Sequence, residues 1–472
     1  MTGRLSSASA DHGLAFGEPM TLNSNPLSAT TLRVLSVANF SVAAVSRPPV
    51  LAATAAAVGL VFFIWSLVAD DPAVDGVAFR WAGVAVIAIL LLKASGIVGR
   101  LTESEAAAGP TWFVPLVVAA VLAIFWGRQP TPRLVSIVVA FLAVLISTFA
   151  MTVGEWRSDL GLDVYWMHRQ AGEALFAGEN PYTDAVTVSS GSPYAPEGAV
   201  IEGYPYPPVV VGSYGVAGAG ADPRLVSGVA WLAVLGWMGW RARRSGRHGD
   251  TAYAMFLLLA GLAVWPVVWF ASWTEPVSIG LFLLAALLWR RRPALSAVAL
   301  GLALASKQYF LFLAPLLLLH KDESKWMRVS VSLGVAVTTI LIGLVPDSEA
   351  FITATLLNLT DIGFRPDSQS LSGLLASRGV DFFLSPLAWI ALGLVLVAFV
   401  GLRSATVSDL IGRAGLAMGF VFFFGQAFPN YWFLVLALIA IGSVVDDGEV
   451  QRTRSGIESA SHVPSPTSVT RD

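Results

Sequence analysis

This chain has no cysteine in 472 residues, and of its 29 basic residues only four are lysine. With no thiol, disulfides, thiolate metal sites and a cysteine nucleophile are excluded, although the compartment stays open. Charge is scarce as well. Asp, Glu, Lys and Arg make up 13% of the chain, where soluble globular proteins carry about a quarter. The formal net charge of −2 offers no basic footprint, so no nucleic-acid partner is expected. A P-loop, a dinucleotide-binding Gly-x-Gly-x-x-Gly after a strand, a His-Glu-x-x-His zinc motif and a serine nucleophile elbow are all missing. ATP-driven transport, nucleotide-fold redox chemistry and zinc proteolysis lose their usual sequence support.

What the chain has instead is apolar sequence, 56% hydrophobic residues with a mean hydropathy of +0.70. Repeated apolar runs of about twenty residues read as transmembrane helices. Spans are predicted near 49–69, 80–98, 111–127, 134–153, 222–240, 251–271, 275–290, 328–345, 384–401, 409–426 and 429–445. The stretch 294–319 fits one tilted span or two short ones meeting at Lys307. The expectation is an all-α polytopic membrane protein of about 11–13 transmembrane helices, covering 49–446. Residues 1–48 and 447–472 read as polar, disordered tails.

Basic residues in short loops orient the bundle. Arg241/Arg243/Arg244/Arg247, Arg290/Arg291/Arg292, Lys321/Lys325/Arg328 and Arg403/Arg413 mark the cytoplasmic side. The segments 272–274, 346–380 and 427–430 then fall outside, and so does the polar insert 154–208, provided that 294–319 dips in and returns. The side of the N-terminus stays open, because Arg33 and Arg47 favour the inside whereas four spans before the insert favour the outside.

The insert carries the chemistry. Its stretch 164–178 alternates apolar residues with His168, Arg169 and Glu173 and predicts a short amphipathic helix along the membrane interface. Asp163 stands at the N-terminal edge, where a carboxylate caps a helix. The same carboxylate, on an extracytoplasmic face, is placed to act as a general base towards a hydroxyl; Asp159, four residues earlier, is an alternative. Lys307 lies inside an apolar stretch, and a charge at membrane depth is costly unless paired or hydrated. An anionic lipid phosphate is one partner for it; a snorkelling lysine is the other reading. Glu275 and Arg365 share the outer side, and Arg365 is a second candidate phosphate ligand. Tyr204-Pro-Tyr206-Pro-Pro208 fixes an extended approach to the next apolar segment. No carboxylate cluster demands a metal, and no cofactor is expected.

In order along the chain, Asp163-Val-Tyr, Ala171-Gly-Glu-Ala-Leu-Phe-Ala-Gly178-Glu-Asn-Pro-Tyr182, Tyr204-Pro-Tyr-Pro-Pro208, Gly301-Leu-Ala-Leu-Ala-Ser-Lys307-Gln-Tyr, Asp367-Ser-Gln369-Ser-Leu-Ser-Gly-Leu374 and Pro429-Asn-Tyr-Trp432 resemble glycosyltransferase family 87. These are membrane enzymes of the GT-C superfamily, among them mannosyl- and arabinofuranosyltransferases of the actinobacterial envelope. The chain departs from the superfamily in placing several spans before the loop. The resemblance implies a GT-C-like bundle, a polyprenyl-phosphate sugar as donor, and a lipid or envelope glycan as acceptor. It implies inversion, with Asp163 (or Asp159) as base and Lys307, with Arg365, on the departing phosphate. It places the enzyme in the plasma membrane with its active site outside. His168, Arg169, Tyr165, Tyr206, Glu275 and Gln369 complete the candidate substrate-binding set. A multi-span transporter or flippase, with Lys307 and Glu275 on its substrate path, is the alternative reading.

Overall fold

The computed structural model describes residues 29–45, 49–68, 78–98, 110–153, 163–183, 185–187, 200–215, 221–244, 247–262, 265–270, 272–320, 324–357, 368–378, 406–425 and 427–445, with 217 and 393. Prolines open many of its helices, because their missing N–H is one that the first turn leaves unbonded anyway. The first five helices are α1 (Ala29–Val45), α2 (Pro49–Val68), α3 (Ala78–Val98), α4 (Pro110–Trp126) and α5 (Pro130–Val153). The insert gives α6 (Asp163–Ala177), β1 (Ala185–Thr187), β2 (Val200–Glu202) and α7 (Pro208–Val210), which runs on into a π-helical turn, Val211–Gly215. There follow α8 (Arg224–Ala242), α9 (Arg247–Ala260), α10 (Trp265–Phe270), α11 (Glu275–Leu288) and α12 (Pro293–Leu304). A 3-10 segment, Gln308–Leu313, leads to α13 (Ala314–Leu319). The last elements are α14 (Lys325–Leu344), α15 (Ser348–Ile352) with a π turn Thr353–Leu357, α16 (Leu371–Ala376), α17 (Val407–Phe424) and α18 (Pro429–Val444).

Among the described residues, the segments Pro130–Thr148, Arg224–Ala242, Lys325–Leu344 and Val407–Phe424 are long and apolar enough to cross a membrane. With its shorter apolar helices, the chain is the all-α polytopic membrane protein that its hydropathy predicts. Helix α18 is apolar on every side and buried from Trp432 to Ile441, as a helix enclosed by others must be. It packs against α17, α1, α9 and α11.

Two expectations need correction. The N-terminal 48 residues are not all tail: Leu32, Val34, Val37, Phe40 and Ala43 of α1 are buried, and the Phe40 ring stacks on Trp432 at 5.4 Å. The apolar residues of α1, spaced to line one side, find a partner in α2 and α18, which the polar residues ahead of them disguise. The predicted span 251–271 is two helices, α9 and α10. Pro266 can neither donate a bond nor tolerate the carbonyl of Leu262 in a continuous helix. Gly261 also lies where α3 passes closely, since a Cβ there would meet Val86 at 2.7 Å. Residues 208–210 form a short helix that runs on into one π turn, 211–215. Besides its helices the chain has a small antiparallel ribbon, β1 with β2, Val186 opposite Ile201. The predicted span 384–401, apart from residue 393, and the C-terminal tail 447–472 lie outside the described residues.

The break foreseen at Lys307 is present. Helix α12 ends at Leu304, Lys307 is extended (φ −148, ψ 144), and the chain returns through Gln308–Leu319. His320 then lies against Trp289, at the end of α11 that carries Arg290–Arg292. Lys307 is therefore the tip of a hairpin whose feet are at the arginine-rich end. A 12-residue helix rises about 18 Å and a 14-residue helix about 21 Å, both short of a hydrocarbon layer of about 30 Å.

The ribbon is closed by Gly203, whose φ of +73 suits only glycine. A Cβ there would sit 2.3 Å from the Tyr182 carbonyl oxygen and 2.7 Å from Ala354 Cβ. Gly203→Ala is expected to destabilise the protein by about 2–3 kcal/mol through strain and overpacking together. Thermal unfolding of the detergent-purified variant checks this; an unchanged midpoint would show that the loop yields freely.

Candidate functional site

The hydrogen bonds of His168, midway along α6, orient the whole site. Its Nε2 lies 2.9 Å from the Ser272 carbonyl oxygen, which can only accept, so Nε2 carries the proton. Nδ1, 2.6 Å from the Tyr204 hydroxyl, is then the acceptor and Tyr204 the donor. The imidazole stacks on Tyr214 at 4.3 Å and has no exposed surface. Burial drives its pKa down to about 3, against the raising effect of the Ser272 bond and with help from the nearby Lys307 charge. Burial also pushes the Tyr204 phenol well above its ordinary range, which keeps it a donor.

A stability prediction follows from this. Between about pH 6.5, where an unfolded imidazole titrates, and about pH 3, where this one does, the unfolded chain holds one more proton. The contribution of His168 is complete above pH 6.5 and is lost as pH falls, by up to about 1.4 kcal/mol per pH unit. His168→Phe keeps the stacking ring but should remove that slope between pH 6.5 and 4.5. It should also cost about 2–4 kcal/mol at pH 7 by leaving two buried polar groups unbonded. Unfolding midpoints across that pH range would test it; an unchanged slope would assign the acid sensitivity to other groups.

The residue that His168 grips is itself strained. Ser272 has φ +55, the left-handed conformation that costs a non-glycine residue about 1–2 kcal/mol. It closes α10 in the position usually held by glycine: Trp273 N–H donates to the Val268 carbonyl and Ser272 N–H to that of Trp269. The Trp273 carbonyl accepts from the hydroxyls of Tyr214 (3.1 Å) and Ser227 (3.2 Å).

This turn delivers Glu275, the first residue of α11, into a fully buried position. Its Oε1 accepts from Lys307 Nζ at 2.8 Å and from Asn430 Nδ2 at 2.9 Å. Removing two charges from water is costly, and a buried pair holds only if its remaining groups are also satisfied. Tyrosine rings surround the ammonium: Tyr206 at 5.0 Å, Tyr309 at 5.7 Å and Tyr431 at 5.9 Å from Nζ to the centroid. Gln308, next along the hairpin, donates to the carbonyls of Pro205 (2.7 Å) and Thr355 (2.9 Å), tying insert, hairpin and the turn after α15 together. The Gln369 backbone N–H donates to the Ala427 carbonyl (2.7 Å), and its carbonyl accepts from Trp432 Nε1 (3.2 Å), on either side of Asn430.

The family model for glycosyltransferase family 87 matches residues 206–442, half of the chain. The chain belongs to glycosyltransferase family 87. It is thereby a membrane glycosyltransferase. No curated protein and no solved structure matches it. The family match takes in Tyr206, Glu275, Lys307, Gln369 and Asn430, whereas Asp159, Asp163 and His168 precede it.

Of the residues expected in this glycosyltransferase's site, the structure gathers His168, Tyr206, Glu275 and Lys307, with Gln369 at their edge. Asp163 opens α6 one turn ahead of buried Met167; its side chain, like all of Asp159 and Arg365, lies outside the described residues. Two candidates stand elsewhere. Arg169 is half-exposed and meets Glu173 at 3.6 Å, a pair of little energetic weight. Tyr165 lies under Arg224, whose guanidinium sits 5.1 Å above the ring and bonds Asp222 (Nε–Oδ1 2.9 Å). Sequence reasoning missed Asn430, Ser272 and Thr274. Only the pairing of Asn430 with an aromatic run, Pro429-Asn-Tyr-Trp432, hinted at one of them. Among the described residues, no group of three or more His, Asp and Glu is placed to hold a metal.

Proposed function

We propose that this protein transfers a sugar, mannose or arabinofuranose by preference, from a polyprenyl-phosphate donor to a lipid or envelope-glycan acceptor at the outer face of the plasma membrane. The observation that carries this reading is the junction of the polar insert with a buried cation. Through His168 and Gln308, α6 and Tyr204–Pro208 close over Lys307 in a chain of glycosyltransferase family 87. A lipid phosphate is a second anion for this cation, beside Glu275, and the polar insert supplies the base.

The reaction is a single displacement. An acceptor hydroxyl gives its proton to the carboxylate of Asp163 as its oxygen bonds the anomeric carbon. On the opposite face of the sugar the bond from carbon to phosphate oxygen breaks, and its electron pair leaves with the lipid phosphate. Lys307 meets that developing charge. It need not abandon Glu275 to do so, because an ammonium has three protons to donate and Glu275 takes one. Both substrates are amphiphiles held in one plane, which supplies orientation. Aromatic rings at Tyr206, Tyr309 and Tyr431 give the sugar an apolar face to rest on. No cofactor enters.

Membranes containing the wild-type protein, supplied with labelled polyprenyl-phosphate mannose or arabinofuranose, should move label into a lipid or glycan product of inverted anomeric configuration. Retention of configuration, or label that stays on the donor with either sugar, would overturn this reading.

A further inference from the structure

The turn that joins α10 to α11 is built with a marked asymmetry. Much of its backbone is engaged. Ser272 and Trp273 donate to the end of α10, the Ser272 carbonyl accepts from His168, the Trp273 carbonyl from Tyr214 and Ser227, and the Thr274 carbonyl from Ser278 N–H at 3.4 Å. The side chains are the reverse. Ser272 Oγ, Thr274 Oγ1 and Glu275 Oε2 are all buried, and none has a hydrogen-bond partner among the described residues. Buried polar atoms without partners are rare, and three within four residues need a cause. Thr274 even occupies the capping position of α11 without capping it. Ser272 adds a second observation: it stands strained where glycine would be relaxed, so its side chain carries a conformational penalty. Strain and unsatisfied polar groups held by a rigid frame are the mark of a site that is kept for a ligand.

Charge identifies the ligand's chemistry. A lone carboxylate oxygen and two hydroxyls on one turn offer acceptors and donors suited to neutral O–H groups, not to an anion. Lys307, bonded to the other oxygen of the same carboxylate, is the anion-binding group. A phosphate on Lys307 therefore carries whatever is esterified to it next to Glu275.

We infer that the Ser272–Trp273–Thr274–Glu275 turn is the subsite that recognises hydroxyls of the donor's sugar ring, with Glu275 Oε2 accepting from one of them and the two side-chain hydroxyls sharing the rest. The inference rests on the donor reading above. Glu275 is thus a specificity-determining residue as well as the counter-ion of Lys307.

The test exploits the missing partners. Ser272→Gly relieves the strained backbone, and Thr274→Val removes a hydroxyl that bonds none of the described residues, so both variants should unfold no earlier than wild type. Affinities of the full-length protein in detergent are measured for polyprenyl-phosphate mannose, polyprenyl-phosphate arabinofuranose and the bare polyprenyl phosphate. Wild type should prefer one sugar-bearing lipid over the bare phosphate. Each of the two variants should lose about tenfold of that preference, and Glu275→Gln up to about a hundredfold, as expected for hydrogen bonds to hydroxyl and carboxylate. Bare-phosphate binding in Ser272→Gly and Thr274→Val should stay within about threefold of wild type, a shift worth well under 1 kcal/mol. Variants that keep the wild-type preference, or that lose the bare phosphate to the same degree, overturn the subsite. A wild type that binds all three lipids alike overturns the donor reading first and the subsite with it.

Discussion

Replacing Asp163 by Asn should lower sugar transfer by about 10²–10⁴-fold, the range that a positioned general base contributes. The substitution keeps size and hydrogen-bonding shape but cannot take a proton. Asp163 is the first residue of α6 and lies five residues before His168. Five residues advance a helix by about 7.5 Å, so the start of α6 stands within one and a half turns of the point where His168 meets the Ser272 turn. Because α6 is anchored by His168, Met167 and Ala171, none of which the substitution touches, expression and unfolding temperature should stay close to wild type. Asp159→Asn serves as the control and should retain most activity. Transfer of labelled polyprenyl-phosphate sugar in membranes with matched expression measures both. Full activity of Asp163→Asn would remove it from the mechanism, and loss confined to Asp159→Asn would move the base four residues upstream.

The fold was legible wherever apolar length alone decides. Helices α2, α3, α4 and α5 fall within a few residues of their predicted spans, as do α8, α11, α14, α17 and α18. A run of about twenty apolar residues has few other uses. The break at Lys307 was legible for the same reason, since a lysine flanked by a dozen apolar residues must reach a surface or a partner. Helix α1 was not legible. It is buried between its neighbour α2 and α18, nearly four hundred residues away, and its own composition, with Thr31, Arg33, Ser36, Asn39 and Ser41, gives no hint of that. Hydrogen bonds explain how it tolerates them: Ser36 Oγ donates to the Gly59 carbonyl at 2.7 Å, and Asn39 and Ser41 bond carbonyls of their own helix.

The site was half legible. A charge in apolar surroundings is conspicuous, and Lys307 stands out on that ground; His168 is legible from the amphipathic stretch 164–178, and Glu275 from its place on the outer side. The pairing of Lys307 with Glu275 across 32 residues was not legible, because nothing in local sequence says that the tips of two separate helical hairpins meet. Ser272 and Thr274 were invisible for a further reason. Their importance lies in a backbone angle and in partners that they lack, and neither leaves a trace in composition. Conversely Arg169, conspicuous in sequence, turns to solvent on the face of α6 opposite Met167. The serines of Asp367-Ser-Gln-Ser370 read as part of a motif, and the structure gives them work in the frame: Ser370 caps α16, and Ser368 accepts from Ala427 N–H at 2.9 Å.

Lys307→Met should be the most destabilising single change in the site. Methionine replaces the apolar stem and can still lie among Tyr206, Tyr309 and Tyr431, so packing is largely kept. What disappears is the positive charge 2.8 Å from a carboxylate that has no solvent exposure. Breaking a buried pair by removing one partner costs about 3–5 kcal/mol, because the other charge stays behind uncompensated, here with Asn430 as its close donor. Removing both charges is a different matter. In Lys307→Met/Glu275→Gln the amide still reaches Asn430 and no net charge is buried, so most of the loss should be recovered. Activity should not follow stability, since the double variant lacks the cation that meets the leaving phosphate, a term worth about 10²–10³ in rate. Unfolding midpoints and sugar transfer for the two single variants and the double complete the cycle. A double variant as unstable as Lys307→Met would trace the loss to the tyrosine contacts of the lysine. A stable double variant that still transfers sugar would leave the pair as scaffold alone and return the phosphate to another cation.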